Sequence, residues 1–346
     1  YKFQTFAQMA EEFKLNERDV VLTNEFIYTP FMKDLGLKCH YVFQEKFGAG
    51  EPSEEMIQVM YDAIPYDSYD RVIAVGGGAI MDLCKLLGCK RPDTVHNLYF
   101  KRFPVVHEKD VIAIPTTCGT GSEVTGVAVL TNDETGAKKS ISGADCYAAV
   151  SFCDYGYTRT MPRKETVSTA LDAFAHAVEG FFTPKCGGVL DLYAKKCIPQ
   201  IYDGLRELAE GGEIDDSLRE RLYEGSIYAG LVINTCGTAF PHPLGYVLTE
   251  NYGIPHGMAC AAFFGAFIDR CERFAPEKTA EFAAMTDDIA AVRGTIGSLL
   301  DLDGVKISRD EAERYALRWQ SGTPKNFAAS PGGLTQEEAA GILASL

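Results

Sequence analysis

Several things are missing from this chain of 346 residues and 37.9 kDa, and each absence removes a class of function. There is no basic excess: 33 Lys and Arg stand against 48 Asp and Glu, a formal net charge of −15. A chain with that field does not bind nucleic acid or an anionic membrane through its bulk charge. A helix N-terminus can still hold a phosphate locally. The longest apolar run, Met258 to Ile268, is well short of the about 20 residues a membrane span needs. No CxxC pair occurs among the eleven scattered cysteines, so the expectation is reduced, mostly buried thiols in a cytoplasmic protein. Tyr1-Lys2-Phe3-Gln4 shows no secretory pattern, no G-x-G-x-x-G fingerprint is present, and no repeat of 20–50 residues is visible. What remains is an ordinary globular composition, 46% hydrophobic and 23% charged, at a length that predicts two domains.

The two halves differ in texture. Up to about residue 154, strand and helix signals alternate as in an α/β layer fold. Val20–Thr23, Tyr41–Phe43, Val72–Val75 and Val111–Ile114 are β-prone runs. Ser53 is a candidate N-cap for a helix whose face is Met56, Val59, Met60 and Ala63. Val124–Thr131 and Lys138–Ser142 read as a hairpin. Residues 155–346 are rich in Ala, Leu and Glu at helical period and are expected to be mainly helical, with a loop over Ser321–Leu334 before a short last helix. The expected domains are 1–154 and 155–346.

Two loops of the first half are suited to a nucleotide. Val72–Val75 runs into Gly76-Gly77-Gly78, and a helix pattern follows. Glycines at such a turn let backbone approach a pyrophosphate, and the helix N-terminus supplies free N–H groups. A tight turn with positive φ explains three glycines equally well. The run Pro115-Thr116-Thr117-Cys118-Gly119-Thr120-Gly121-Ser122-Glu123 follows the next strand directly. Both loops would lie at the carboxyl ends of strands, where open α/β sheets bind ligands.

The second half carries a metal-binding pattern. Asp172 and His176 stand at i and i+4 beside an apolar stripe of Val167, Ala170, Leu171, Phe174, Ala175 and Val178. Taken alone, such a pair is more often a local helix contact. His242 and His256 lie fourteen residues apart, in Pro241-His242-Pro243 and Pro255-His256-Gly257. His40, His96 and His107, in the first half, have unremarkable contexts. One carboxylate and three imidazoles suit Fe²⁺ or Zn²⁺ better than Mg²⁺ or Ca²⁺. Every candidate ligand is Asp or His, so the cysteines drop out of the expected chemistry.

These motifs, in this order, resemble the iron-containing (group III) alcohol dehydrogenase family. Gly76-Gly77-Gly78-Ala79-Ile80-Met81-Asp82-Leu83-Cys84-Lys85 resembles its GGGSxxDxxK. Pro115 to Glu123 resembles PTTxGTGSE, Asp172–His176 resembles DxxxH, and Pro255-His256-Gly257 resembles the closing PHG. The resemblance implies an α/β dinucleotide-binding domain followed by an all-α metal-binding domain. It implies Asp172, His176, His242 and His256 as ligands to Fe²⁺, with Zn²⁺ the alternative. A register that places Thr238 at the third ligand position is disfavoured, because His242 has the ligand's spacing to His256. Asn24, Gly76, Gly77, Gly78, Ala79, Asp82, Thr116, Thr117, Ser122, Thr125 and Lys139 fall at cofactor-contacting positions.

Three positions depart from the family pattern. Ala79 replaces a serine. Asn24 replaces an aspartate that repels a 2′-phosphate, so NAD is expected and NADP is not excluded. Tyr246 replaces a further histidine; it is a candidate proton relay, with packing an equal alternative. Thr23–Phe26, Phe43–Gly48 and Glu51–Ser53 resemble the NAD-dependent members that act on 4-hydroxybutyrate. The resemblance thus implies interconversion of a primary alcohol and its aldehyde, 4-hydroxybutyrate and succinate semialdehyde first, by a homo-oligomer, with a dimer favoured. Arg163, Lys195 and Lys196 have no positional reason to anchor a distal carboxylate. Butanol-, propanediol- and glycerol-type dehydrogenases and the zinc-dependent dehydroquinate synthase share the scaffold. A non-catalytic nucleotide-binding protein with a structural metal is the reading of a different class.

Overall fold

The computed structural model describes residues 5–48 and 50–346, so Tyr1–Gln4 and Ala49 lie outside the described residues. The chain divides into two compact units. One comprises the residues up to Thr117 together with Gly121–Thr160, and the other comprises Cys118–Thr120 together with Met161–Leu346. The turn Tyr155–Thr158 belongs with the first unit because Tyr157 is buried in its core. The division therefore falls a few residues beyond the position expected from composition.

The first unit contains β1 (Asp19–Thr23), β2 (His40–Phe43), β3 (Arg71–Gly76), β4 (Asp110–Pro115), β5 (Val127–Thr131), β6 (Lys138–Ser142) and β7 (Val150–Ser151). A five-stranded parallel sheet runs in the order β2-β1-β3-β4-β7, and β5 and β6 form the expected antiparallel hairpin. Its helices are α1 (Phe6–Glu12), α2 (Glu25–Phe31), α3 (Glu54–Ala63), α4 (Gly78–Gly88) and α5 (Val95–Tyr99). β1, β3 and β4 are buried on both faces, which explains their continuous apolar runs. Successive side chains alternate between two cores. Val20, Leu22, Val72, Ala74, Val111 and Ala113 pack with α3, α4 and α5 residues, whereas Val21, Ile73, Val75, Ile112 and Ile114 pack with Phe6, Ile27, Phe152 and Tyr157. Ser53 Oγ accepts the Met56 N–H and caps α3. The buried face of α3 is Met56, Ile57, Met60 and Tyr61, with Val59 exposed. Ile57 and Tyr61 bring more apolar area than Val59 and Ala63, and the helix is rotated accordingly.

The second unit is helical: α6 (Arg163–Phe182), α7 (Val189–Ala209), α8 (Asp216–Cys236), α9 (Pro241–Tyr252), α10 (His256–Ala261), α11 (Phe264–Phe274), α12 (Pro276–Met285), α13 (Ile289–Leu299), α14 (Arg309–Ala316), α15 (Lys325–Ala329) and α16 (Gln336–Leu343). The expected loop over Ser321–Leu334 is interrupted by the short α15. Among the described residues, no helix is long and apolar enough to cross a membrane.

α6 is central to this unit. Its apolar stripe predicts one buried face, yet from Thr166 to Phe182 every residue except the half-buried Thr169 is buried, packed by α7, α8 and α10. The polar residues opposite the apolar stripe are therefore interior as well, and an interior carboxylate or imidazole requires a partner.

Candidate functional site

Asp172, His176 and Glu179 occupy positions i, i+4 and i+7 of α6, so they share one side of the helix. All three are buried. His242 arrives from the first turn of α9 and His256 from the start of α10. The Nε2 atoms of His176, His242 and His256 lie 3.7, 3.7 and 3.9 Å from Asp172 Oδ1. Asp172 Oδ1 and His242 Nε2 are buried and have no hydrogen-bond partner. Such groups are costly unless something compensates them. Donors about 2.0–2.1 Å from one tetrahedral ion stand roughly 3.3–3.5 Å apart. A divalent cation thus fits here with shifts of a few tenths of an ångström.

The surrounding bonds aim the imidazoles. His242 Nδ1 is 2.6 Å from Glu179 Oε1, and Glu179 Oε2 also accepts the Ala239 N–H at 2.7 Å. His176 Nδ1 lies 3.3 Å from the Gly119 carbonyl oxygen. With Nδ1 engaged by Gly119 in His176 and by Glu179 in His242, Nε2 is the nitrogen that each ring turns toward Asp172. Burial pushes His176 down to about 4, so it is neutral and competent to ligate. Burial acts on His242 in the same direction, but Glu179 and Asp172 outweigh it and push the ring up to about 10. Burial works against the ionised form of Asp172, and the three imidazoles override it, holding the carboxyl well below its usual range. His242 must give up its Nε2 proton to bind a cation. Glu179 was not among the residues singled out from the sequence. Its signal was there, in the i+7 continuation of Asp172 and His176.

Close helix approach builds the site. A Cβ on Gly257 would stand 1.8 Å from the Ser168 carbonyl oxygen and 2.8 Å from the Asp172 nitrogen. Only glycine after His256 lets α10 press against α6 at this depth. Tyr246 stacks on the His256 ring, with centroids 5.2 Å apart and planes at 15°. Thr238 is engaged elsewhere, accepting from Asn326 Nδ2 at 2.6 Å. His96 and His107 pair with Glu54 and Asp110, and His40 is exposed. Arg163 donates to the Leu208 and Gly212 carbonyls, and Lys195 pairs with Glu281. Cys260 Sγ lies with Asp172, His242 and His256 in a cluster whose donor atoms are all within 4.8 Å of one another.

In the first unit the two loops stand at the carboxyl ends of β3 and β4, and the sheet order reverses direction between β1 and β3. This is the switch-point geometry at which open α/β sheets hold ligands. Gly77 caps α4 with φ −79°, and none of Gly76, Gly77 and Gly78 has a positive φ. The glycines therefore provide room; they do not make a left-handed turn. Ala79 follows in the first turn of α4, and the Thr116 N–H bonds to the Gly76 carbonyl at 3.0 Å, joining the two loops. Thr117 and Asn24 border the same edge, Asn24 as the residue before α2 with its amide 3.4 Å from Gln44 Oε1.

Asp82, Ser122 and Thr125 lie behind that edge in a buried network around Lys85. Lys85 Nζ donates to Ser122 Oγ at 2.7 Å, to the Val127 carbonyl at 2.6 Å and to Thr125 Oγ1 at 3.5 Å. Asp82 accepts from Ser122 Oγ at 2.7 Å and from the Val129 N–H at 2.8 Å. Lys139, on β6, lies over the rings of Tyr99 and Phe100.

Comparison with known proteins identifies the family and the fold. Residues 2–155 match the family profile described as iron-containing alcohol dehydrogenase, and residues 166–299 match the C-terminal domain profile of the Fe-containing alcohol dehydrogenase family. The chain is 37% identical over 265 residues to 4-hydroxybutyrate dehydrogenase of Clostridium kluyveri, covering 76% of this chain and 71% of that protein. The structure of an iron-containing alcohol dehydrogenase from Thermotoga maritima superposes with a TM-score of 0.84 at 27% identity, covering 99% of this chain and 95% of the other. Sulfoacetaldehyde reductase from Bifidobacterium kashiwanohense, in complex with NAD+, has a TM-score of 0.85 at 24% identity, with 99% and 96% covered.

Proposed function

The chain belongs to the iron-containing alcohol dehydrogenase family, and from that premise we propose that it interconverts 4-hydroxybutyrate and succinate semialdehyde with NAD. The observation that carries the chemistry is the convergence of three imidazole Nε2 atoms on the unpartnered Asp172 Oδ1. The choice of substrate is supported by the likeness to the Clostridium kluyveri protein.

In this reading Asp172, His176, His242 and His256 hold Fe²⁺, with Zn²⁺ the alternative. When bound, the ion supplies Lewis acidity toward the substrate oxygen. Glu179 and the Gly119 carbonyl keep the His242 and His176 rings in the ligating tautomer. The first-turn N–H groups of α4, with Gly76, Gly77, Gly78 and Ala79, receive the cofactor's phosphates. Thr116, Thr117 and Asn24 face its polar groups along the same sheet edge. Asp82, Ser122 and Thr125 serve the cofactor by fixing the loop from behind, since their polar atoms bond to one another and to Lys85. Lys139 acts from the β6 side. Asn24 carries no charge to repel a 2′-phosphate, so NAD preference is a quantity to measure directly. Tyr246 orients His256 by stacking, and the chain works as a homodimer in the cytoplasm.

The test is a panel of 4-hydroxybutyrate, n-butanol, 1,2-propanediol and glycerol with the iron-loaded protein, using NAD and NADP. The highest kcat/KM is expected for 4-hydroxybutyrate with NAD, together with loss of turnover after chelation. A plain alcohol that equals or exceeds 4-hydroxybutyrate overturns the substrate assignment and leaves a general alcohol dehydrogenase. Full turnover after rigorous metal removal overturns the metal-dependent reading.

A further inference from the structure

We propose that the Cys260 thiolate is a fifth donor at this centre and gives the chain a second ligand set, Asp172, His242, His256 and Cys260, for a thiophilic divalent cation such as Zn²⁺ or Co²⁺. The proposal rests on the reading of the centre as a metal site and adds a ligand to it. Cys260 is fully buried, one turn after His256 on α10. Its Sγ lies 3.7 Å from His256 Nε2, the atom that faces Asp172. It shares with Asp172, His242 and His256 a volume in which every donor atom is within 4.8 Å of the others. Two atoms aimed into that volume, Asp172 Oδ1 and His242 Nε2, are buried and without hydrogen-bond partners.

The sulfur is also held in place. Gly245 on α9 is the residue that leaves room for it: a Cβ there would stand 2.8 Å from Cys260 Sγ and 3.0 Å from the Cys260 nitrogen. The helices thus supply donors in a matched pattern. α6 contributes the i, i+4 pair Asp172 and His176, α10 contributes the i, i+4 pair His256 and Cys260, and α9 contributes His242. An oxygen-and-nitrogen set accommodates iron, whereas a thiolate shifts preference toward softer ions. Cys260 therefore makes the identity of the bound metal depend on what is available, with His176 and the sulfur as the exchangeable donors.

Cobalt is the probe. Metal-free protein is titrated with Co²⁺ and followed by absorption spectroscopy. The wild type is expected to develop visible d–d bands together with a near-ultraviolet thiolate-to-cobalt charge-transfer band, both saturating at one ion per chain. Cys260→Ser and Cys260→Ala keep the d–d bands and lose the charge-transfer band, while Cys236→Ser keeps both. In competition, the Cys260 variants lose zinc affinity relative to iron by at least the roughly 10–100-fold that removing an outer partner costs. Wild-type d–d bands without charge transfer, or a charge-transfer band that survives in the Cys260 variants, overturn the proposal and leave the Asp–His centre standing. A wild-type chain that takes up no cobalt overturns the metal centre and this proposal together.

Discussion

The two units each bury an aspartate on a helix, and the pair shows how a carboxylate satisfied by its neighbours differs from one left open. In the α/β unit, both oxygens of Asp82 accept hydrogen bonds, and Lys85 Nζ stands 3.8 Å away. Burial raises Asp82 and lowers Lys85, so each group depends on the other and on the shared Ser122 hydroxyl. In the helical unit, Asp172 Oδ1 is equally buried, is faced by three imidazole nitrogens and accepts no hydrogen bond. One network is closed among its own members. The other leaves a buried oxygen and a buried ring nitrogen unsatisfied, the opening that the proposed cation would fill.

The most severe way to break this contrast is to exchange each aspartate for asparagine or alanine. Asp172→Asn is expected to remove metal binding, by more than the about 100-fold that is the upper end for losing an outer partner, while the helical unit still folds. Asp82→Ala leaves the buried Lys85 ammonium without its nearest carboxylate, and is expected to cost about 3 kcal/mol of stability with metal content per folded chain unchanged. Metal analysis and thermal denaturation of both variants check the pair. If Asp82→Ala strips the metal, or Asp172→Asn only lowers the melting temperature, the distinction fails.

Glu179 sharpens the contrast at a smaller scale, since it touches the centre only through His242. Glu179→Gln retains the shape and removes the charge. Metal affinity is expected to fall roughly 10–100-fold, measured by chelator competition, with the near-ultraviolet circular dichroism of the fold preserved. An unchanged affinity would show that helix packing alone orients His242.

The smallest effect is expected at a carboxylate that is neither buried nor a ligand. Glu338 closes the capping box of α16, where Thr335 Oγ1 accepts the Glu338 N–H and Glu338 accepts the Thr335 N–H. The Thr335 backbone bond, with Arg270 adding to it, holds the Glu338 carboxyl below its usual range. A carboxyl lowered by folding stabilises the fold above its unfolded pKa, and that contribution is lost as pH falls through the folded value. Thr335→Ala is expected to cost about 1 kcal/mol. The Glu338 share of the wild-type stability should disappear on acidification, which thermal melts at neutral and acid pH would show.

Much of the site was legible because it is local. Asp172 and His176 are i, i+4, and the strand-to-glycine turn is contiguous, so their geometry follows from helix and strand periods. The apolar stripe of α6 was read correctly as a core face, yet its polar side proved buried too, because α10 covers what periodicity assigns to solvent. Val59 was misassigned on α3 for a related reason, since Ile57 and Tyr61 compete for the same core.

By itself the sequence determined the two-part organisation, the parallel strands, the glycine turn and the chemical identity of the candidate ligands. Each depends on contacts within a few residues or on side-chain type. Only the tertiary structure decided that His242, 63 residues from Glu179, is aimed by it, and that Cys260 shares the volume of Asp172 and two imidazoles. It also decided that Asp82 closes a network while Asp172 leaves one open. The outcomes at His242, Cys260 and Asp172 depend on how closely α10 approaches α6 at Gly257 and α9 at Gly245, that at Asp82 on the approach of Ser122 and β5 to α4, and no local period encodes either.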